Sequence, residues 1–130
     1  MARDVSIHEL KKAVATLAEA VAFATASRND DVPFRLARDA CIQRFEYSIE
    51  LAWKVSMRAL GSQIKHAKVA VREMARADLI DSAETWLDFI EARNNSSHSY
   101  DENVAQKVFA QIEAFLPEVQ KLLARLERLP

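Results

Sequence analysis

The sequence predicts an all-α protein, an antiparallel up-and-down bundle of four to five helices, and three observations predict it. The chain holds one glycine, Gly61, and three prolines, Pro33, Pro117 and Pro130, whereas folds built on strands and tight turns need those residues repeatedly. Apolar residues recur at alternating steps of three and four, which is the signature of a helix burying one face. Half of the 130 residues are apolar, enough for the core of one domain spanning 1–130.

The first helix is expected to open at Ser6, whose hydroxyl and Glu9 form a Ser-x-x-Glu capping box. Ile7, Leu10, Val14, Leu17, Val21 and Ala24 then make its buried stripe, and it ends near Ser27. Arg28-Asn29-Asp30-Asp31 reads as a loop, and Pro33 suits the first turn of the next helix, where its missing N–H costs nothing. That second helix is expected from about Phe34 to Leu60, closed by Gly61 in the left-handed conformation. Cys41, Phe45, Ser48, Ala52 and Val55 lie on one side, and Ile42, Ile49, Trp53 and Leu60 on another. A helix apolar over so much of its circumference is either central or touches both the core and a second subunit.

Ser62 to Lys68 is a polar connection. A short helix carrying Val69, Val71, Met74 and Ala75 follows and breaks around Asp78 to Asp81. Ser82 is placed to cap the next helix, with Glu84 in its first turn and Trp86, Leu87, Phe89 and Ile90 on its buried side. That helix runs out at Asn94-Asn95-Ser96-Ser97, whose side chains compete for the backbone. Asp101 caps a last helix bearing Val104, Val108, Ile112, Phe115, Val119, Leu122, Leu126 and Leu129, with a bend expected between Ala114 and Pro117. There is no internal repeat and no low-complexity segment.

Eighteen Lys and Arg nearly balance nineteen Asp and Glu, so the overall field does not favour nucleic acid or anionic lipid. The charges are segregated, however. Lys54, Arg58, Lys65, Lys68, Arg72 and Arg76 face only Glu73, and then Asp78, Asp81, Glu84, Asp88, Glu91, Asp101 and Glu102 face only Arg93. Solvated faces or a partner with patches of both signs account for this equally well. Cys41, the single cysteine, reads as a small buried apolar residue in a reducing compartment. No run approaches the ~20 apolar residues of a membrane span, and the N-terminus lacks the apolar region of a signal peptide. A soluble, cytoplasmic protein is expected. His8, His66 and Cys41 have no metal-ligand spacing, and no phosphate-cradling glycine loop exists, so neither a metal nor a cofactor is expected.

The stretch that can carry chemistry is Arg93-Asn94-Asn95-Ser96-Ser97-His98-Ser99-Tyr100. In a continuous α-helix, residues five apart diverge by about 140°, so Arg93 and His98 converge only where the helix breaks or widens. The Asn-Asn-Ser-Ser run permits that. A permanent cation and a group titrating near neutrality can cleave RNA without a metal. His98 would act as general base or acid and Arg93 would stabilise charge on the phosphate, with Asn94 orienting either. The plain structural alternative pairs Arg93 with Glu91 or Asp88, makes His98 a helix cap, and lets Tyr100 merely begin the last helix. Trp53 and Trp86 read as core anchors.

Three segments resemble a known family. Ile42-Gln43-Arg44-Phe45-Glu46-Tyr47-Ser48-Ile49-Glu50-Leu51-Ala52-Trp53-Lys54 resembles the signature of nucleotidyltransferase substrate-binding proteins of the HEPN superfamily. Val71 to Ile80 looks like the family's next block, and Arg93 to Tyr100 is similar to its Arg-x4-His-x-Tyr motif. The resemblance runs from about residue 7 to 126. It implies a homodimeric bundle encoded with a separate minimal nucleotidyltransferase, and a HepT-like ribonuclease toxin whose antitoxin is that nucleotidyltransferase. It also implies that Arg93, His98 and Asn94 are the catalytic residues, that RNA or tRNA is the substrate, and that Tyr100 is a tyrosine the partner adenylylates. Asn95 stands where the family pattern has an apolar residue. A non-catalytic subunit that presents substrate to the nucleotidyltransferase, or is itself adenylylated on Tyr100, is the alternative implied by the same family.

Overall fold

The structure, a computed structural model, describes the backbone of residues 2–130 and the side chains from Ile7 onward. The described residues form five α-helices, α1 (Ala2–Ala26), α2 (Asp31–Ala59), α3 (Ala67–Arg76), α4 (Ala83–Asn95) and α5 (Glu102–Glu127), with a 3₁₀ turn, Ser96–His98, between the last two. No strand occurs among them. α1 begins before Ser6, so Ser6 lies inside the helix rather than at its cap, and its side chain lies outside the described residues.

α2 is the central element, packing on α1, α3, α4 and α5. Both of its apolar sides are buried within one chain, since Phe45, Ile49 and Ala52 have no exposed surface and Ile42 and Trp53 very little. The breadth of apolar circumference is thus explained by position in the bundle and does not call for a second subunit. Leu36, Val32 and Tyr47 are the large apolar side chains of α2 that face solvent. Cys41 is buried, and burial pushes its thiol up to about 11.

The helix ends follow local chemistry. Phe34 N–H bonds to the Asp30 carbonyl at 2.9 Å, so Pro33 sits in the first turn where no donor is needed. At the other end of α2, Ser62 N–H reaches the Met57 carbonyl at 2.9 Å and Gly61 N–H the Arg58 carbonyl at 3.1 Å. That is a Schellman closure, and Gly61 takes φ of 68° to complete it. α3 ends the same way, with Leu79 N–H on Met74 O and Asp78 N–H on Ala75 O, but here Asp78 holds φ of 61°. The Ser82 hydroxyl accepts from Thr85 N–H at 3.1 Å, and an Asp101 carboxylate oxygen accepts from Asn103 and Val104 N–H, as their positions before α4 and α5 predict.

On α3, Val71 and Met74 of the expected apolar run are buried together with Ala70, whereas Val69 is 46% exposed. One expectation needs correction. Pro117 does not interrupt α5, which continues through it. The ring lies on the exposed side of the helix, so the carbonyl it leaves without a donor is on the solvent side, where water can take its place.

One apolar cluster draws on all five helices. Its centre is aromatic: Phe115 of α5 meets Phe45 of α2 and both Trp86 and Phe89 of α4 edge-on, with ring centroids 5.0 to 5.4 Å apart. Rings crossed in this way add about 0.5–1.5 kcal/mol per pair beyond their buried area. This packing fixes α4 against α2 and α5, and so fixes where α4 ends.

Candidate functional site

α4 stops as the Asn-Asn-Ser-Ser run predicts. Ser96 is almost fully buried, and its hydroxyl lies 2.7 Å from the Arg93 carbonyl while also meeting the Glu46 carboxylate of α2. One proton thus serves two acceptors, and the end of α4 is tied to the middle of α2. Beyond it the chain tightens: Ser99 N–H bonds to Ser96 O and Asp101 N–H to His98 O, both at 3.1 Å.

Tightening has a geometric consequence. With about 100° per residue up to Asn95 and about 120° per residue through the 3₁₀ turn, the angle between positions 93 and 98 grows to about 160° instead of closing. Arg93 accordingly turns toward α2, its Nε 3.8 Å from the Glu50 carboxylate, while His98 is exposed and lines a groove of about 670 Å³ between α4 and α5. The irregular backbone is present, but within one chain it turns the two groups toward different neighbours. Neither Glu91 nor Asp88 pairs with Arg93. Glu91 takes Lys68 instead, at 3.2 Å, which joins the basic and acidic stretches.

Asn94 is exposed, and its carbonyl accepts from the Ser97 hydroxyl at 3.3 Å. Tyr100 is 87% exposed. Its ring crosses that of His98 at 72°, with centroids 6.3 Å apart, and it borders a second hollow of about 480 Å³ that also meets Arg38, Glu46, Ser96 and Glu102. His98 and Tyr100 are therefore neighbours on the rim between two hollows.

That second hollow is anchored by a bidentate pair. Both terminal nitrogens of Arg38, a buried residue, donate to the Glu102 carboxylate at 2.8 Å. These donors hold the Glu102 carboxyl down at about 2. Since Glu102 opens α5, the pair fixes where the segment carrying His98 and Tyr100 re-enters the bundle.

Sequence reasoning missed Glu46, Glu50 and Lys107, the last of which lies in the groove with His98. A signal existed for two of them: Glu46 and Glu50 are carboxylates one turn apart on a helix otherwise rich in apolar residues. Among the described residues no group of three or more His, Cys, Asp or Glu side chains is placed to hold a metal ion, and no helix is long and apolar enough to cross a membrane.

Comparison with known proteins bears on this geometry. The model of a family described as nucleotidyltransferase substrate binding protein like matches residues 5–128. A Haemophilus influenzae protein named probable ribonuclease HepT is 35% identical over a match of 95 residues, with 67% of this chain and 65% of that one covered; the match thus spans just under two thirds of the relative's length. A crystal structure from Thermus thermophilus superposes with a TM-score of 0.78 at 30% identity, covering 92% of this chain and 99% of that one. A solved structure from Haemophilus influenzae gives 0.69 at 27% identity over 98% of both chains, and is described as revealing the fold of a substrate binding domain of a nucleotidyltransferase. With the matched residues covering nearly its whole length and the helices superposing on those structures, the chain belongs to the nucleotidyltransferase substrate-binding protein-like family.

Proposed function

We propose that this protein is the helical partner of a separate minimal nucleotidyltransferase in the cytoplasm, and that it is a HepT-like toxin that cleaves RNA without a metal through Arg93 and His98. The observation that carries the reading is the 3₁₀ turn after α4, which leaves the His98 imidazole exposed in a groove between α4 and α5. The name of the Haemophilus influenzae relative supports it. In the reaction, a 2′-hydroxyl attacks the adjacent phosphorus and the 5′-oxygen leaves. His98 takes the first proton or supplies the second, and Arg93 stabilises the charge on the phosphate. Asn94 orients the phosphate. Because Arg93 and His98 open toward different neighbours in one chain, a homodimer that apposes two motifs completes the site.

The test is incubation of purified protein with tRNA or total RNA in the presence of a chelator. Cleavage by wild type and its loss in His98→Ala is expected; equal behaviour of the two proteins ends the catalytic reading.

A second reading rests on Tyr100, whose phenol is reachable. As an adenylylation acceptor it would place bulk and negative charge beside His98 and silence the site. Intact mass after incubation with the nucleotidyltransferase and ATP is expected to rise in wild type and not in Tyr100→Phe. An unchanged wild-type mass defeats this reading.

A further inference from the structure

The polar connection after α2 folds over a hollow that neither Arg93, His98 nor Tyr100 lines. Ser62 N–H closes on the Met57 carbonyl and turns the chain back beside α2. The Ser62 hydroxyl then accepts from Ile64 N–H at 3.2 Å, and Ile64 packs against the core. Between this connection and the end of α2 lies a cleft of about 420 Å³. Trp53, Met57 and Ile64 make its apolar wall, and Lys54, Arg58 and Lys65, all exposed, supply its charge. Lys54 and Arg58 stand one turn apart on the same face of α2, and Lys65 comes from the connection.

The charge of this cleft is one-sided: three cations line it, and no carboxylate among the described residues does. Glu50, outside the cleft, lies 3.7 Å from Lys54, but it also faces Arg93 at 3.8 Å, so one carboxylate is shared between two cations. Lys65 has no ion-pair partner among the described residues. The cleft therefore attracts an anionic occupant, and the apolar wall decides which kind. Trp53 is only 7% exposed, and the Lys54 ammonium lies 5.5 Å from the centroid of its ring. A nucleic acid strand would find cations for its phosphates but no open ring on which to stack a base. A peptide that carries carboxylates around one apolar side chain fits both parts, since that side chain leaves water against the wall while the carboxylates meet the rim.

We propose that this cleft docks an acidic segment of a partner protein, with one apolar side chain seated against Trp53, Met57 and Ile64 and with carboxylates on Lys54, Arg58 and Lys65. The docking gives a use to the part of the basic stretch that internal pairing with Glu73 and Glu91 does not occupy. It rests on the partner reading only for the protein that supplies the segment, the nucleotidyltransferase.

The test measures fluorescence anisotropy of a labelled peptide of glutamates flanking one central Leu, and, separately, binding of the purified nucleotidyltransferase. At low salt the peptide is expected to bind wild type. Lys65→Glu is expected to weaken that binding several-fold and Lys65→Gln to weaken it less, while Lys12→Glu, the same reversal on an exposed face of α1, leaves it unchanged. A peptide with Ser in place of Leu is expected to bind several-fold more weakly. Wild type that fails to bind the peptide at low salt, equal binding by Lys65→Glu, an equal loss in Lys12→Glu, or a Ser peptide that binds as well as the Leu peptide overturns the proposal. A single-stranded oligoribonucleotide that displaces the peptide at lower concentration than unlabelled peptide does would assign the cleft to RNA. A wild-type dimer that Lys65→Glu dissociates, on size-exclusion chromatography with light scattering, would assign it to a second copy. Either result also overturns the proposal. If the nucleotidyltransferase binds wild type and Lys65→Glu equally, the partner reading stands and the docking cleft falls. If the peptide binds through Lys65 while the nucleotidyltransferase binds neither protein, the docking cleft stands and the partner reading falls.

Discussion

Ser96 and Glu46, fifty residues apart in the chain, meet through a hydroxyl–carboxylate hydrogen bond that joins the 3₁₀ turn to the centre of α2. The same hydroxyl faces the Arg93 carbonyl, so one buried side chain sets both the end of α4 and the start of the turn that carries His98. Ser96→Ala removes the donor and leaves the carboxylate unsatisfied in a half-buried place, at a cost of about 1–3 kcal/mol. Urea denaturation is expected to show a lower midpoint with an unchanged slope, and amide exchange at Ser97 to Ser99 is expected to quicken more than in α1. Glu46→Gln, which keeps an acceptor, is expected to cost less. A Ser96→Ala protein as stable as wild type would remove the tie from the account.

The two Schellman closures give opposed predictions. An added Cβ at Gly61 meets no atom within 4 Å, so Gly61→Ala is penalised by its left-handed φ alone, at about 1 kcal/mol. Asp78 already bears that penalty, and Asp78→Gly is expected to stabilise by up to about 1 kcal/mol. Its contact with Arg125 is made by the backbone carbonyl and survives the change. Thermal melts of the two variants should move in opposite directions. A shift of the same sign in both would contradict the closures.

The Arg38–Glu102 pair predicts a response to acid. The Glu102 carboxyl is depressed from 4.5 to about 2, so its contribution to stability is present above the unfolded value and is lost as pH falls from 4.5 toward 2. Glu102→Gln lacks this contribution at every pH. The difference in Tm between wild type and Glu102→Gln is therefore expected to be largest near neutrality and to shrink below about pH 4. A difference that is constant across that range would show that the pair does not act through charge.

What the sequence made legible was local. Ser82, Asp101 and Gly61 each mark a helix end through their own backbone chemistry, and Asn94 to Ser97 mark the break after α4. Asp78 escaped notice because a non-glycine residue in the left-handed region carries no sequence flag. Pro117 misled because the cost of a proline depends on whether the orphaned carbonyl faces core or water, which only the packing decides. For the site, the motif residues were visible, but the direction in which each points was not. From α2, Glu46 reaches Ser96, Glu50 reaches Arg93 and Arg38 reaches Glu102, and no short-range pattern encodes such meetings. The kind of break mattered as well: the polar run reads as a break or a widening of the helix, whereas the turn found is a tighter one, and it separates Arg93 from His98.

That separation leads to the most direct test of the functional account, the cleavage of tRNA in chelator by variants expressed alone and together. Arg93→Ala and His98→Ala are each expected to be inactive, and co-expressed copies of the two are expected to regain part of the wild-type activity, because some mixed dimers keep one intact Arg93 opposite one intact His98. Wild type that leaves the RNA whole, or His98→Ala that cuts as fast as wild type, would contradict the account.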